Sequence, residues 1–247
     1  MSDTLTVNEI YLSIQGESTF AGLPCIFVRL TACNLRCSYC DTAYAFAEGS
    51  KKSLIEIRAR IHELATPFRN SALRTPHSAL PLVELTGGEP LLQKNSQPLM
   101  KSLCDDGFTV LIETSGALDI AQVDPRVHRI MDLKCPSSGE SDRNRLENIT
   151  HLKSTDEIKF VLGTQEDYDW AKQKIAEHQL AAICPLLFSW VAPLQLHQQD
   201  TSLKKVPVGQ TPISRKELVE KITADALPVR FQLQMHKFIW PPDKKGV

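Results

Sequence analysis

The sequence predicts an α/β fold, a partial (incomplete) TIM-type barrel of about six parallel strands. Short apolar runs alternate with stretches whose apolar residues recur at helical spacing, a pattern typical of parallel sheets with helical crossovers. A closed barrel of this type has eight strands, and the chain has too few apolar runs to complete one. The predicted strands are Cys25–Leu30, Leu82–Leu85, Thr109–Glu113, Arg129–Leu133, Glu157–Leu162, Ile183–Trp190 and Arg230–Gln234.

Two of the predicted helices have a well-defined start. Ser53–Thr66 and Ser214–Leu227 each open with a serine that is followed three residues later by a glutamate, the pattern of a capping box. The apolar residues that follow recur at intervals of three and four, as on one face of a helix. Further helices are predicted over Leu91–Asp106 and Gln165–His178.

The chain is predicted to form a single domain over residues 1–247. Its length suits one large α/β domain, and no internal repeat, low-complexity tract or obvious linker divides it. Two stretches without a clear period, Pro136–Ser154 and Val191–Pro212, are predicted to be surface loops. The second is a candidate lid or dimer element.

Composition and charge exclude several classes of partner. The net charge is −1 at pH 7, so no general attraction to nucleic acid or anionic lipid is expected. No stretch approaches the roughly 18 consecutive apolar residues of a membrane span, and the N-terminal segment lacks the pattern of a secretory signal. The seven cysteines, an odd number, agree with reduced thiols. We expect a cytoplasmic protein with no nucleic-acid and no membrane partner.

Unusual residues directly follow several of the predicted strands. They occupy residues 31–41, 86–90, 114–116 and 134–138, which include cysteines, paired glycines, serines and a lysine. The carboxyl ends of parallel strands meet at one edge of the sheet, and this is where such folds bind their ligands. We therefore predict one site at this edge.

The cysteines of the first of these segments have a spacing that suits a metal centre. Cys33, Cys37 and Cys40 form a C-x3-C-x2-C pattern in a loop, which can direct three thiolates at one centre. A structural zinc site and a cuboidal iron–sulfur cluster normally take four protein ligands, so one position stays open for a substrate or cofactor. Two other interpretations are a zinc site completed by a distant His or Cys, and three unrelated core thiols.

These motifs resemble those of the radical S-adenosylmethionine (SAM) superfamily. Its signature is the same cysteine spacing with an aromatic residue before the last cysteine, here Tyr39. The segment Leu85–Pro90 resembles the Gly-Gly-Glu motif that binds the SAM amino group, where glycines let the backbone approach a ligand. The resemblance implies a radical SAM core with a 4Fe–4S cluster on Cys33, Cys37 and Cys40. Its open iron would bind SAM, the source of a 5′-deoxyadenosyl radical.

A longer set of segments is similar to the 7-carboxy-7-deazaguanine synthases. The resemblance implies a lyase that converts 6-carboxy-5,6,7,8-tetrahydropterin to 7-carboxy-7-deazaguanine with loss of ammonia, in 7-deazapurine (queuosine) biosynthesis. It also implies a homodimer and a flavodoxin- or ferredoxin-like electron donor. The matching segments are Ile14–Ser18, Gly22–Pro24, Phe27–Leu30, Cys40–Thr42, Glu113–Gly116, Asp132–Ser137 and Gln234–Lys237.

The same resemblance implies roles for individual residues. Thr42 is the implied Mg²⁺ ligand, and the C-terminal strand and tail (about 228–247) would complete the substrate site. Gln15 and Glu17 suit the donor–acceptor edge of a pterin, and Arg29 suits its carboxylate. The implied SAM contacts are Tyr39, Asp41, Gly88, Ser115, Lys134, Pro136 and Ser137. The implied substrate contacts are Ile14, Gln15, Gly16, Glu17, Arg29, Thr86 and His236.

Several of these residues also suit ordinary structural roles. Arg29 could form a surface ion pair, Thr42 could cap a helix, and His236 could be a satisfied histidine on a strand. Gln15 and Gly16 could form a plain turn.

Two alternative functions share the motifs near the cysteines. A glycyl-radical activase, another radical SAM enzyme, would share the cysteine and Gly-Gly-Glu-Pro patterns but has no evident use for Gln15, Glu17 and Arg29. A non-catalytic zinc-binding module would need only the cysteines.

Overall fold

The computed structural model describes residues 3–71, 80–195, 198–241 and 244–246. Its centre is one nine-stranded sheet in the order β3-β1-β2-β4-β5-β6-β7-β8-β9. The strands are β1 (Thr4–Ile14), β2 (Pro24–Leu30), β3 (Ser50–Ser53), β4 (Leu82–Gly87), β5 (Val110–Thr114), β6 (His128–Asp132), β7 (Glu157–Leu162), β8 (Leu186–Trp190) and β9 (Arg230–Gln232).

The strands from β2 onward form the parallel part of the sheet. Each pair from β2–β4 to β8–β9 is parallel, whereas β1 pairs antiparallel with both β2 and β3. Among the described residues no pairing joins β3 to β9, so the sheet is an open, partial barrel. The predicted fold class is therefore confirmed.

Two strands were not predicted from the sequence. The sequence of β1, TLTVNEIYLSI, interrupts its apolar residues with polar and charged ones, and only Leu5 and Val7 are buried. The sequence of β3, SKKS, has no apolar residue, and this short strand is held by backbone pairing to β1 at the edge of the sheet. Neither strand has the apolar run by which a buried parallel strand is recognised.

The described residues form five α-helices; the first four lie at the predicted places with shifted bounds, and the last was not predicted. They are α1 (Leu54–Arg69), α2 (Ser96–Asp105), α3 (Gln165–Glu177), α4 (Arg215–Ala224) and α5 (His236–Ile239). Both predicted capping boxes are present, at the starts of α1 and α4. α2 begins later than predicted because Pro90–Leu92 forms a separate 3-10 turn. The predicted last strand ends at Gln232, so His236 begins α5 rather than lying on a strand.

The two segments predicted to be loops differ from each other. Within Pro136–Ser154 the chain forms three short 3-10 turns. The described parts of 191–212 contain no α-helix, and Pro212 makes a single β-bridge to Thr164. No helix in the described ranges is long and apolar enough to cross a membrane.

The amino-terminal ends of the parallel strands are closed by a small apolar cluster. Cys25, Leu82, Leu111 and Ile130 form it, and Phe20 packs against it. Phe20 belongs to residues 15–23, which connect β1 to β2 and which we call the floor loop. The main core fills the space between the sheet and its helices. The floor loop thus closes one end of the barrel, opposite the carboxyl ends of the strands.

Candidate active site

One cavity of about 650 Å³ runs inside the barrel between its two ends. The cluster loop (residues 31–42) lines it at the carboxyl ends of the strands, and the floor loop lines it at the other end. Gln234, His236, Lys237 and residues 244–246 also line it. All of the predicted site residues line this cavity except Pro136 and Ser137.

Pro136 and Ser137 lie behind the cluster loop. They belong to the 3-10 turn Pro136–Ser138, whose carbonyls accept hydrogen bonds from Ser38. The backbone N–H of Ser137 donates to Asp167 at 2.7 Å. In this structure the turn therefore supports the cluster loop.

The three motif thiols lie in the cluster loop, where Cys37 is buried and Cys33 and Cys40 are partly buried. Burial raises the pKa of Cys37 to about 11 and that of Cys40 to about 12, although the nearby Lys134 ammonium acts in the opposite direction. Burial also raises the pKa of Cys33, whose sulfur accepts a hydrogen bond from the Leu35 N–H at 3.4 Å. These thiols hold their protons in the apoprotein and would release them on binding a metal.

The donor set at the cluster loop fits an iron–sulfur cluster. Three cysteines line one cavity, and one of them accepts an N–H···S hydrogen bond, an interaction that tunes cluster potentials. Among the described residues, no three His, Cys, Asp or Glu side chains are close enough to share a single metal ion. The thiolates of a cuboidal cluster bind different irons, so this spacing is compatible with a cluster.

The glycine pair at the end of β4 allows contact with the cluster loop. A Cβ on Gly88 would lie 2.0 Å from the carbonyl oxygen of Ala32, and one on Gly87 (φ +136°) would lie 2.2 Å from that of Leu30. The next residue, Glu89, is fully buried and accepts hydrogen bonds from the N–H and the hydroxyl of Ser115, at 2.7 and 2.6 Å. The Gly-Gly-Glu segment thus packs β4 against the cluster loop and ties it to the end of β5.

The floor of the cavity carries an ion-pair network that the sequence analysis did not identify. The Lys159 ammonium lies 2.8 Å from Glu113 and 3.1 Å from Glu17. Glu113 also accepts a hydrogen bond from Thr86 at 2.9 Å. Burial alone would lower the pKa of Lys159, but the carboxylates of Glu113 and Glu17 outweigh it and raise that pKa. Lys159 therefore stays charged and links two predicted substrate contacts, Glu17 and Thr86.

Two of the floor carboxyl groups have opposite pKa shifts. Burial would raise the pKa of Glu113, but the Lys159 ammonium outweighs it and lowers that pKa to about 2. Burial raises the pKa of Glu84 well above its ordinary value, and the charge of Glu113 adds to this. Glu84 accepts a hydrogen bond from the Gln15 side-chain amide at 2.7 Å. The floor thus contains one carboxyl group with a lowered pKa, Glu113, and one with a raised pKa, Glu84.

Arg29 is a partly buried residue whose guanidinium has two hydrogen-bond partners among the described residues. Its Nε donates to Glu9 at 2.7 Å and its Nη2 donates to the Tyr11 hydroxyl at 3.1 Å, and Tyr44 donates to the same Glu9 oxygen. Its side chain is 15% exposed, so this is not a surface ion pair. Nη1 has no hydrogen-bond partner among the described residues and lies on a side chain that lines the cavity.

The C-terminal segment is attached to the cluster loop by an ion pair. Asp41 lies 2.6 Å from the Lys237 ammonium and accepts a hydrogen bond from the Thr42 hydroxyl at 2.9 Å. Burial would raise the pKa of Asp41, but Lys237 outweighs it and lowers that pKa. Burial lowers the pKa of His236, against the opposing charges of Glu17 and Asp41. This segment therefore sits between the cluster loop and the floor loop.

Comparison with known proteins shows similarity over nearly the whole chain. No protein-family model matches. A 7-carboxy-7-deazaguanine synthase of Koribacter versatilis is 42% identical over 98% of this chain and 100% of that protein. The synthase of Chlorobaculum tepidum is 41% identical over 98% of this chain and 97% of that protein. The chain belongs to the 7-carboxy-7-deazaguanine synthase family.

The solved structures show a similar fold. QueE from Escherichia coli superimposes with a TM-score of 0.66 at 20% identity, covering 94% of this chain and 95% of that one. SuiB from Streptococcus suis bound to S-adenosylmethionine has a TM-score of 0.52 at 15% identity, covering 82% of this chain and 48% of that one. The partial barrel is thus the radical SAM fold.

Membership in the synthase family fixes the class of enzyme and its main cofactors. 7-Carboxy-7-deazaguanine synthases are radical SAM lyases of queuosine biosynthesis that use a 4Fe–4S cluster and SAM. The cysteine and Gly-Gly-Glu motifs are therefore explained by membership in the synthase family. This explanation replaces the two alternatives, a glycyl-radical activase and a zinc-binding module.

The residues missed by the sequence analysis are charged residues within strands. Glu84 and Glu113 are the single charged residues of their largely apolar strands, Lys159 shares β7 with Glu157, and Glu9 lies on a strand that was not predicted. Burying a charged side chain within a strand costs free energy unless the charge is paired. A charged residue in a predicted buried strand could therefore have been recognised as a candidate for the barrel interior. Which charges pair with each other depends on the fold.

Proposed function

We propose that this chain converts 6-carboxy-5,6,7,8-tetrahydropterin to 7-carboxy-7-deazaguanine with loss of ammonia. The observation that carries this proposal is the single cavity that has three cysteine thiols at one end and an amide–carboxylate set at the other. The near full-length similarity to synthases of that name supports it.

Cys33, Cys37 and Cys40 would hold the 4Fe–4S cluster and leave one iron for SAM. SAM bound there would, on receiving one electron from the reduced cluster, give methionine and the 5′-deoxyadenosyl radical that abstracts hydrogen from C6 of the pterin. The proposed SAM contacts Tyr39, Asp41, Gly88, Ser115 and Lys134 line the adjacent space. Pro136 and Ser137 lie behind the cluster loop and would act on SAM only through that loop. The Asp41 side chain is paired with Lys237, so we assign its SAM contact to the backbone.

The pterin would lie on the floor with its amide-like edge toward Gln15, Gly16 and Glu17. The Gln15 amide is held by Glu84, and Glu17 is held by Lys159, so both side chains are pre-oriented. Thr86 donates to Glu113 next to this edge. Ile14 and His236 complete the proposed substrate contacts.

The substrate carboxylate would bind near Arg29 and Mg²⁺. The Nη1 group of Arg29 offers a donor of fixed geometry. We assign Mg²⁺ to the Thr42 hydroxyl, which faces the same cavity, with the substrate carboxylate and water as further oxygen ligands. A divalent ion there would stabilise charge on the carboxylate during ring contraction.

The segment of about 228–247 is proposed to complete the substrate site within a single domain of residues 1–247. Asp41–Lys237 joins it to the cluster loop, and the Met235 N–H joins it to the floor loop through the Gly16 carbonyl at 3.1 Å. Lys245 pairs with Glu48 at 2.9 Å farther along the tail. Residues 242, 243 and 247 lie outside the described residues.

The proposed partners follow from the chemistry and the family. A small-molecule pterin is the substrate, and a flavodoxin- or ferredoxin-like protein would supply the electron that reduces the cluster. We propose a homodimer in the cytoplasm.

Anaerobic turnover tests the proposed function. Protein reconstituted with iron and sulfide receives dithionite, SAM, Mg²⁺ and 6-carboxy-5,6,7,8-tetrahydropterin, and products are identified by mass spectrometry. We expect 7-carboxy-7-deazaguanine. Formation of 5′-deoxyadenosine without this product would contradict the proposed reaction and leave the superfamily assignment intact.

A further inference from the structure

The side chain of Gln232 on β9 holds the floor loop. The Gln232 amide donates from Nε2 to the Ser18 carbonyl at 2.7 Å and accepts at Oε1 from the Ser18 N–H at 3.0 Å. Gln232 thus satisfies both backbone groups of one residue of the floor loop, 214 positions earlier in the chain. The side-chain amide is well suited to this, because it carries one acceptor and donors on one planar group.

Ser18 is the residue of the loop that most needs such support. Its φ is +61°, in the left-handed region that non-glycine residues enter at a cost, and it is 3% exposed. A buried backbone N–H and C=O without partners would add a further penalty. The two hydrogen bonds from Gln232 remove that penalty and hold the chain in this conformation.

The residues on either side of Ser18 are those that face the cavity or anchor the loop. Glu17, one residue earlier, pairs with Lys159, and its N–H donates to the Gln15 side-chain oxygen at 2.5 Å. Thr19, one residue later, donates to the buried Glu157 of β7. A change in the Ser18 peptide would therefore move Glu17 and Gln15 together.

We propose that Gln232 is a positioning residue for substrate: it clamps the Ser18 peptide and so fixes Gln15 and Glu17 toward the pterin. Gln232 does not line the cavity, so it acts through the floor loop. The inference rests on the proposed function, because the pterin contacts belong to that proposal. Its structural part, the clamp, holds independently of the substrate.

Kinetics of Gln232→Leu test the positioning role. This variant loses both hydrogen bonds, and we expect the KM for the carboxypterin to rise about 10- to 100-fold. The KM for SAM and the iron content should stay within about twofold of the native values, because Gln232 acts on the pterin end of the cavity. Gln173→Leu is the matched control, because Gln173 is exposed on α3 and its side chain bonds, among the described residues, only to Glu177. It should behave as the native protein.

A second substitution distinguishes the clamp from a general packing defect. Gln232→Glu, which keeps an acceptor and loses the donor, should be intermediate. An unchanged pterin KM in Gln232→Leu, or an equal rise in the KM values of pterin and SAM, would overturn the inference.

Hydrogen–deuterium exchange tests the clamp without turnover. We expect the Ser18 amide to exchange at least about tenfold faster in Gln232→Leu than in the native protein, with the amides of β5 unchanged. Equal exchange at Ser18 would overturn the clamp. If the native protein makes no product from the carboxypterin, the proposed function fails, and the exchange result alone decides whether Gln232 holds the loop.

Discussion

The cluster loop and the floor loop line the two ends of the same cavity, and they are built in different ways. The cluster loop carries its three thiols within residues 33–40, a single short segment. The floor collects Gln15, Glu84, Glu113 and Lys159 from a loop and three strands spread along much of the chain. The cluster loop is therefore a local motif, whereas the floor is a long-range network.

This difference separates two tasks. Thiolates that bind a cluster need a compact loop, and its spacing is visible in the sequence. In the proposed function the floor presents a fixed donor–acceptor pattern to an uncharged ring edge, which requires charges that neutralise and orient one another. Substitutions at the cluster loop should remove the cofactor, and those at the floor should spare it.

The largest effect is expected at the cluster loop. Cys37→Ser removes one of three thiolates, and we expect activity to fall by at least about 1,000-fold, or ~4 kcal/mol in the activation barrier. Iron content and the absorbance near about 400 nm from the cluster should fall with it. The control is Cys104→Ser, since Cys104 lies on α2 and does not line the cavity. A Cys37→Ser protein with a full cluster and native turnover would contradict the assignment of the thiols.

A smaller effect is expected at the centre of the floor network. Lys159→Met leaves Glu17 and Glu113 without their shared cation, and we expect kcat/KM for the carboxypterin to fall about 100-fold, or ~2.7 kcal/mol. The cluster should remain, as measured by iron content. Lys159→Arg keeps the charge and should be intermediate. Loss of the cluster in Lys159→Met would show that the two ends of the cavity are not independent.

The smallest effect concerns the protonation of Glu84. Burial raises its folded pKa, so the stability it contributes is complete below the unfolded pKa of about 4.3 and is lost as pH rises toward the folded pKa. Glu84→Gln keeps an acceptor for Gln15 and does not titrate. Relative to the native protein, the variant should therefore gain stability as pH increases.

Thermal unfolding of the anaerobic, cluster-loaded protein measures this gain. Between pH 5.5 and pH 8, we expect the Tm difference between Glu84→Gln and native protein to grow by about 3 °C or more, corresponding to ~1 kcal/mol. A Tm difference independent of pH would show that Glu84 is ionised throughout this range.

The parts of the fold that could be predicted from the sequence are likewise those that depend on local sequence patterns. The apolar runs of β4 to β8 identified the parallel sheet, because strands buried on both faces have continuous apolar sequences. β3 has the sequence SKKS and exists through its pairing to β1, which no local pattern indicates. Gln232 was placed on a strand, but its role depends on a loop that folds back from the other end of the chain.

The site was predictable where side chains act through a motif. The cysteines, Gly88 and Thr42 all line the cavity, as expected from their neighbours in the sequence. Arg29 was predicted as a cavity residue, but its pairing with Glu9 requires the antiparallel register of β1 and β2. The same holds for Lys237, whose partner Asp41 lies on the cluster loop. In each case the sequence alone did not show which residue of a distant element would be the partner.

The central claim is that three thiolates of the cluster loop leave one iron free for SAM above a floor that holds the pterin. Electron paramagnetic resonance of the reduced, anaerobically reconstituted protein tests it, recorded with and without SAM. We predict that SAM changes the g values of the cluster signal, as expected when its amino and carboxylate groups bind the open iron. An unchanged spectrum, together with a fourth protein ligand on the cluster, would contradict the account.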